Sequence, residues 1–152
     1  MNHSRIFVIG FMGSDRRGLA EKLAKEYQYR VFDLDDEIEK KDGRTVQRIC
    51  MMMGEHEYRN KEYEMLCLLA EEEGIVVSCG DGVMLDEMNR DILEQNKVIV
   101  ADGDISPETL WERAKDEKGL PYAFMNQSDS SLKKGKFFAL YEQRKPLYNQ
   151  FI

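Results

Sequence analysis

Apolar residues along this chain alternate between two patterns. Short unbroken runs, within Arg5–Gly10, Ile75–Cys79 and Lys97–Ala101, have the length of buried strands, and Val31-Phe32-Asp33-Leu34-Asp35 makes a shorter one that runs into acid. Between the runs, apolar residues recur every three or four positions. Leu19, Ala20, Leu23, Ala24 and Tyr27 predict a helix from about Gly18. Thr45 reads as an N-cap ahead of Val46, Ile49, Cys50 and Met53, and a longer helix is expected from about Glu55 to Glu73 after Gly54. Ser106-Pro107 starts another, with a cap and a proline at the first helical position. Residues 116–131 lose periodicity in Gly, Pro, Asn and Ser and read as a lid loop; an amphipathic segment runs from about Leu132 to the end. The Met51-Met52-Met53 run is expected to be core packing with some surface.

Successive βα units predict an α/β fold with three α/β/α layers around a short central parallel sheet, in one domain over residues 1–152. Sites in such folds lie beyond the carboxyl ends of the strands. Gly10–Arg17, Asp33–Asp36 and Gly80–Gly82 all fall there.

Composition narrows the partners. The net charge of -7 argues against nucleic acid and anionic membranes, so an anionic ligand would need local arginines. Cys50, Cys67 and Cys79 have neither disulfide nor zinc spacing, and Cys67 and Cys79 read as buried thiols. With no apolar run of membrane-spanning length and no signal-peptide pattern at Met1–Ser4, a cytoplasmic location is expected.

Gly10-Phe11-Met12-Gly13-Ser14-Asp15-Arg16-Arg17 sits between a strand and a helix, the context required by the phosphate-binding loop G-x-x-x-x-G-K-[ST]. Asp15 replaces its second glycine, Arg16 its lysine and Arg17 its hydroxyl residue. Backbone N–H groups at a helix start still favour an anion. Arg16 and Arg17 are expected still to hold a simple anion such as sulfate, whereas Asp15 is expected to repel nucleotide phosphates and Arg17 cannot ligate Mg²⁺. In the last helix Phe137, Leu140, Tyr141, Arg144, Leu147 and Tyr148 share one stripe, so Arg144 is predicted to point inward. A carboxylate of the chain or an anionic ligand must then neutralise it. Arg59 has Glu55, Glu62 and Glu64 within pairing reach on its own helix. Alternation around Leu34 is expected to send Asp33 and Asp35 to one face.

Together these elements resemble the shikimate kinase family over nearly the whole chain. The resemblance rests on Ile9-Gly10-Phe11-Met12-Gly13, on Asp33-Leu34-Asp35 followed by Ile38-Glu39 and Gly43-Arg44-Thr45-Val46, and on Gly54-Glu55 with Tyr58-Arg59 and Glu62. Gly80-Asp81-Gly82 and Arg144-Lys145-Pro146-Leu147-Tyr148 complete it. It implies a sheet ordered 2-3-1-4 and transfer of the γ-phosphoryl group of ATP to the 3-hydroxyl of shikimate with Mg²⁺. Gly10, Gly13, Ser14, Arg16 and Arg17 would bind nucleotide, Arg113 would lie against adenine, and Asp33 would help hold Mg²⁺ through water. Asp35 would bind substrate hydroxyls and act as base or orienter, with Arg16 as the catalytic cation. Arg59, Arg144, Gly80 and Gly82 would hold the substrate carboxylate.

The departures from the family pattern shape the expectation. Beyond the loop, Leu120-Pro121-Tyr122-Ala123 stands where the lid has an arginine, with Lys118 the available substitute. Asp81 replaces a glycine near the place of the substrate carboxylate. Family members continue past the position of Ile152 into a strand, an adenine-contacting loop and a helix, so a reduced adenine side is expected. Phosphotransfer is therefore expected to be weak or lost, with ATP and Mg²⁺ both in doubt. The alternative is a non-catalytic module binding a small hydroxy acid or a protein partner.

Overall fold

The computed structural model describes residues 2–117, 122, 125 and 130–151. Four strands, β1 (Asn2–Ile9), β2 (Arg30–Asp33), β3 (Ile75–Ser78) and β4 (Asn96–Val100), form one parallel sheet in the order β2-β3-β1-β4. Phe7 lies opposite Val77 on one side and Val98 on the other, while Phe32 pairs with Val77 across β3. All of β3 is buried, as a central parallel strand covered on both faces should be.

Alternation along β1 divides the core. Ile6 and Val8, with Val76 of β3, pack against Ala20 and Ala24 of helix α1 (Arg16–Tyr27). Phe7, Ile9 and Val77 face the larger cluster on the opposite side. That cluster draws on α2 (Leu34–Asp42), α3 (Val46–Met53), α4 (Glu55–Leu69), α5 (Glu87–Glu94), α6 (Pro107–Ala114) and α7 (Ser130–Asn149). The fold is thus α/β with the expected strand order, and among the described residues no helix is long and apolar enough to cross a membrane.

The capping signals held. Thr45 accepts from Arg48 N and Ser106 from Thr109 N, each cap stabilising its helix by about 1 kcal/mol. Boundaries moved by a few residues. Helix α1 starts at Arg16 rather than Gly18 because Asp15 caps it, and α4 stops at Leu69, short of the Glu71-Glu72-Glu73 run.

The methionine run is a correction, since Met51, Met52 and Met53 are 76%, 62% and 50% exposed. Helix α3 is only two turns long and anchors through Val46 and Ile49; Gly54 ends it before a third turn could bring Met53 inward. Of the expected lid, residues 118–121, 123, 124 and 126–129, with Lys118 and Leu120 among them, lie outside the described residues. Tyr122 and Met125 are buried in the larger cluster, and α7 already begins at Ser130.

Candidate functional site

The ends of β1, β2 and β3 open on a cavity of about 530 Å³ lined by the loop Ser14–Arg17, the start of α2 and the Cys79-Gly80 turn. The glycine loop is anchored from below. Phe11 and Met12 are fully buried, and Phe11 makes edge contacts with Phe137 and Tyr141 at 5.0 and 5.4 Å. Gly13 has φ 88°, and a Cβ there would overlap the Leu110 carbonyl of α6, so no other residue fits. Ser14 Oγ and N both donate to the Phe11 carbonyl, at 2.5 and 3.1 Å, which folds the loop on itself.

The three replaced positions each have a definite partner. Asp15, expected to repel phosphates, instead turns onto the helix start and accepts from Gly18 N at 3.1 Å. Its φ of -84° shows that the loop asks for no left-handed residue there. A chain carboxylate therefore takes one N–H of the helix start and sets a negative charge where an anionic ligand would approach. Arg16 Nη1 donates to the carbonyls of Gly10 and Cys79, both at 3.1 Å, and so ties the ends of β1 and β3. Burial disfavours its charge, but Asp81, Tyr148 and Asp35 outweigh that and raise its pKa. Arg17 Nη2 lies 3.4 Å from Asp33 Oδ2 and 3.2 Å from Asp36 Oδ1.

Asp33 and Asp35 do line one cavity, but not through strand alternation. Helix α2 begins at Leu34, so Asp33 is its N-cap, accepting from Asp36 N at 3.0 Å and from Ser78 Oγ at 2.6 Å, and Asp35 lies in the first turn. With both oxygens engaged and a guanidinium beside them, Asp33 is poorly disposed to hold a metal, and Arg17 supplies no oxygen ligand in place of the loop hydroxyl. Among the described residues no group of three or more metal-ligating side chains converges. With the Arg17 guanidinium beside Asp33 and Asp36, the loop offers Mg²⁺ no direct oxygen ligand.

Asp35 accepts from the Tyr58 hydroxyl at 2.7 Å. Burial, reinforced by the charge of Glu62, pushes its carboxyl up to about 7.

Beyond the Gly80 turn, Arg144, predicted to point inward, meets Arg59 through a third residue. Arg59 Nη2 and Arg144 Nη2 donate to the Tyr122 hydroxyl at 3.0 and 2.9 Å, and that hydroxyl donates to Asp81 Oδ2 at 2.8 Å. Arg144 Nη1 is 2.7 Å from Asp81 Oδ2 and 3.2 Å from the Asp81 carbonyl, which also accepts from Tyr148. Arg59 Nη1 pairs with Glu62 at 3.0 Å, its Nε faces Glu55 at 3.6 Å, and it lies over the Tyr58 ring. A Cβ at Gly82 would overlap the Arg59 guanidinium, so only glycine admits this approach. Gly80 passes under Tyr58 and lines the cavity; Arg113 is exposed on α6 and does not.

Sequence reasoning missed Tyr122 as the bridge. Its one signal was a phenol within the short apolar patch Leu120–Met125 of the expected lid. Tyr58, noted within a motif, had no role assigned, and it is what holds Asp35.

The family model for shikimate kinase matches residues 12–152. The chain is 34% identical over 147 residues to a bifunctional shikimate kinase/3-dehydroquinate synthase of Thermotoga maritima, covering 97% of this chain and 28% of that protein. It is 33% identical over 148 residues to the shikimate kinase of Burkholderia lata, covering 97% and 77%. The structure of shikimate kinase from Acinetobacter baumannii in complex with shikimate superposes with a TM-score of 0.82 at 26% identity, covering 98% of this chain and 80% of that one. Shikimate kinase from Bacteroides thetaiotaomicron gives 0.85 at 26% identity, covering 96% and 82%.

Proposed function

The chain belongs to the shikimate kinase family, and from that premise we propose that it keeps a pocket for a small hydroxylated compound while phosphoryl transfer is weak or lost. The nominal reaction is transfer of the γ-phosphoryl group of ATP to the 3-hydroxyl of shikimate. One observation carries the reading: the Arg17 guanidinium spans Asp33 and Asp36 at 3.4 and 3.2 Å, where the family's reaction needs a metal. Phosphoryl transfer depends on positioning and on neutralising charge around the transferred group. A guanidinium donates hydrogen bonds and ligates no metal-bound water shell, and Asp15 already caps the helix that would receive phosphate.

The substrate half supports binding. Asp35, with a pKa of about 7, is divided between acid and base near neutral pH, which suits a group that orients or deprotonates a hydroxyl. Tyr58 fixes its direction at 2.7 Å.

A coupled assay with shikimate and Mg·ATP, run beside calorimetry with Mg·ATP alone, tests the proposal. Turnover is expected to fall at least about 10³-fold below the kinase range of roughly 1–100 s⁻¹, by analogy with loss of an arginine finger. Mg·ATP heats should be undetectable at millimolar concentration. Turnover within the kinase range would sink the reading and give Arg16 the work of the missing lysine.

A further inference from the structure

Resting on the reading that the pocket holds a small hydroxylated compound, we propose that its ligand is an uncharged polyol and not a hydroxy acid, because Asp81 permanently occupies the guanidinium pair of Arg59 and Arg144. The two guanidiniums face three chain carboxylates, Glu62 at 3.0 Å, Glu55 at 3.6 Å and Asp81 at 2.7 Å, so no positive charge is left over for a ligand. The Asp81–Arg144 pair is sealed, with side chains 5% and 4% exposed, and the Tyr122 hydroxyl closes it by joining both arginines and Asp81.

An incoming carboxylate would have to displace a carboxylate already attached to the chain. It would then leave Asp81 buried without its partner, which is strongly unfavourable. A tethered group also competes at an effective concentration that a free ligand does not reach.

The open cavity points the same way. Six carboxylates line it against two guanidiniums, Arg16 and Arg17, both of which already have partners. An anion entering there meets net repulsion. Alcohol O–H groups meet acceptors instead, since an ionised carboxylate offers only lone pairs. The volume of about 530 Å³ accommodates a substituted six-membered ring.

Calorimetry with two probes, shikimate and its primary amide, tests the proposal without nucleotide. The probes share ring and hydroxyls and differ in charge. Wild-type protein should bind the amide at least about tenfold more tightly than the acid, a ratio well within calorimetric resolution. D81N frees the guanidinium pair and should reverse that order; D81G serves if D81N does not fold, and the wild-type ratio stands without either. Tighter binding of the acid to wild type overturns the proposal, as does an order unchanged in the Asp81 variants, or no binding of the amide. Amide preference together with rapid phosphotransfer would refute the functional reading alone. Acid preference without turnover would refute this inference alone.

Discussion

Arg17 meets Asp33 and Asp36 with its side chain 59% exposed, whereas Arg144 meets Asp81 with side chains only 4% and 5% exposed. Both pairs use the chain's own charges in places where the family resemblance would put a ligand's. They differ in dielectric and in accompanying hydrogen bonds. The Arg17 contacts are in water, screened by salt and held by one nitrogen. The Arg144 pair has Tyr122 and the Asp81 carbonyl around it and no solvent. Equal charge substitution can thus be nearly free at the open cavity and structural in the buried cluster beside it.

The strongest way to break the comparison is to remove one buried partner. Arg144→Met should lower stability by about 3–5 kcal/mol in urea unfolding, because it strands the Asp81 carboxylate in the interior. Replacing both partners, Asp81→Leu with Arg144→Met, should recover much of that loss. A single variant costing under about 1 kcal/mol would place this pair with the surface pairs.

The second test uses pH. Asp35 titrates at about 7 in the folded chain against an ordinary 3.8, so between those values the folded state holds a proton that the unfolded state has released. Stability must then fall as pH rises from about 4 to about 7, by up to about 4 kcal/mol at about 1.4 kcal/mol per pH unit. Asp35→Asn should flatten that stretch of the profile. Glu62, raised by burial, contributes in the same direction and remains in the variant. A wild-type profile that rises over this window would show that Asp35 is ionised in the folded protein.

These contrasts also explain what could be read from the sequence. Strand runs such as Ile6–Ile9 and caps such as Thr45 and Ser106 are local signals, and they placed the strands and most helices, while the strand order came with the family resemblance. The inward direction of Arg144 was legible from its stripe, because helical period fixes the buried face. Its partner was not, since Asp81 lies 63 positions away and two acceptors on that turn compete for it. Local rules misled at Asp35: alternation assumed that the strand continued, but Asp33 capped a helix and ended it. The methionine run misled for a related reason. Hydrophobic residue type suggested burial, while three consecutive positions on a two-turn helix cannot share one face.

The smallest expected effect sharpens the comparison from the open cavity. Arg17→Ser removes the contacts to Asp33 and Asp36 and should change stability by no more than about 1 kcal/mol, the range of exposed ion pairs. Asp33 keeps its bonds from Asp36 N and Ser78, so the start of α2 should remain intact. The wild-type contribution should also shrink with added salt, since the pair is open to solvent. Urea unfolding of wild type and variant at low and high ionic strength measures both points. A loss of about 3 kcal/mol or more, insensitive to salt, would mean that the Arg17 guanidinium is an internal structural cation like that of Arg144, and the two pairs would then be alike.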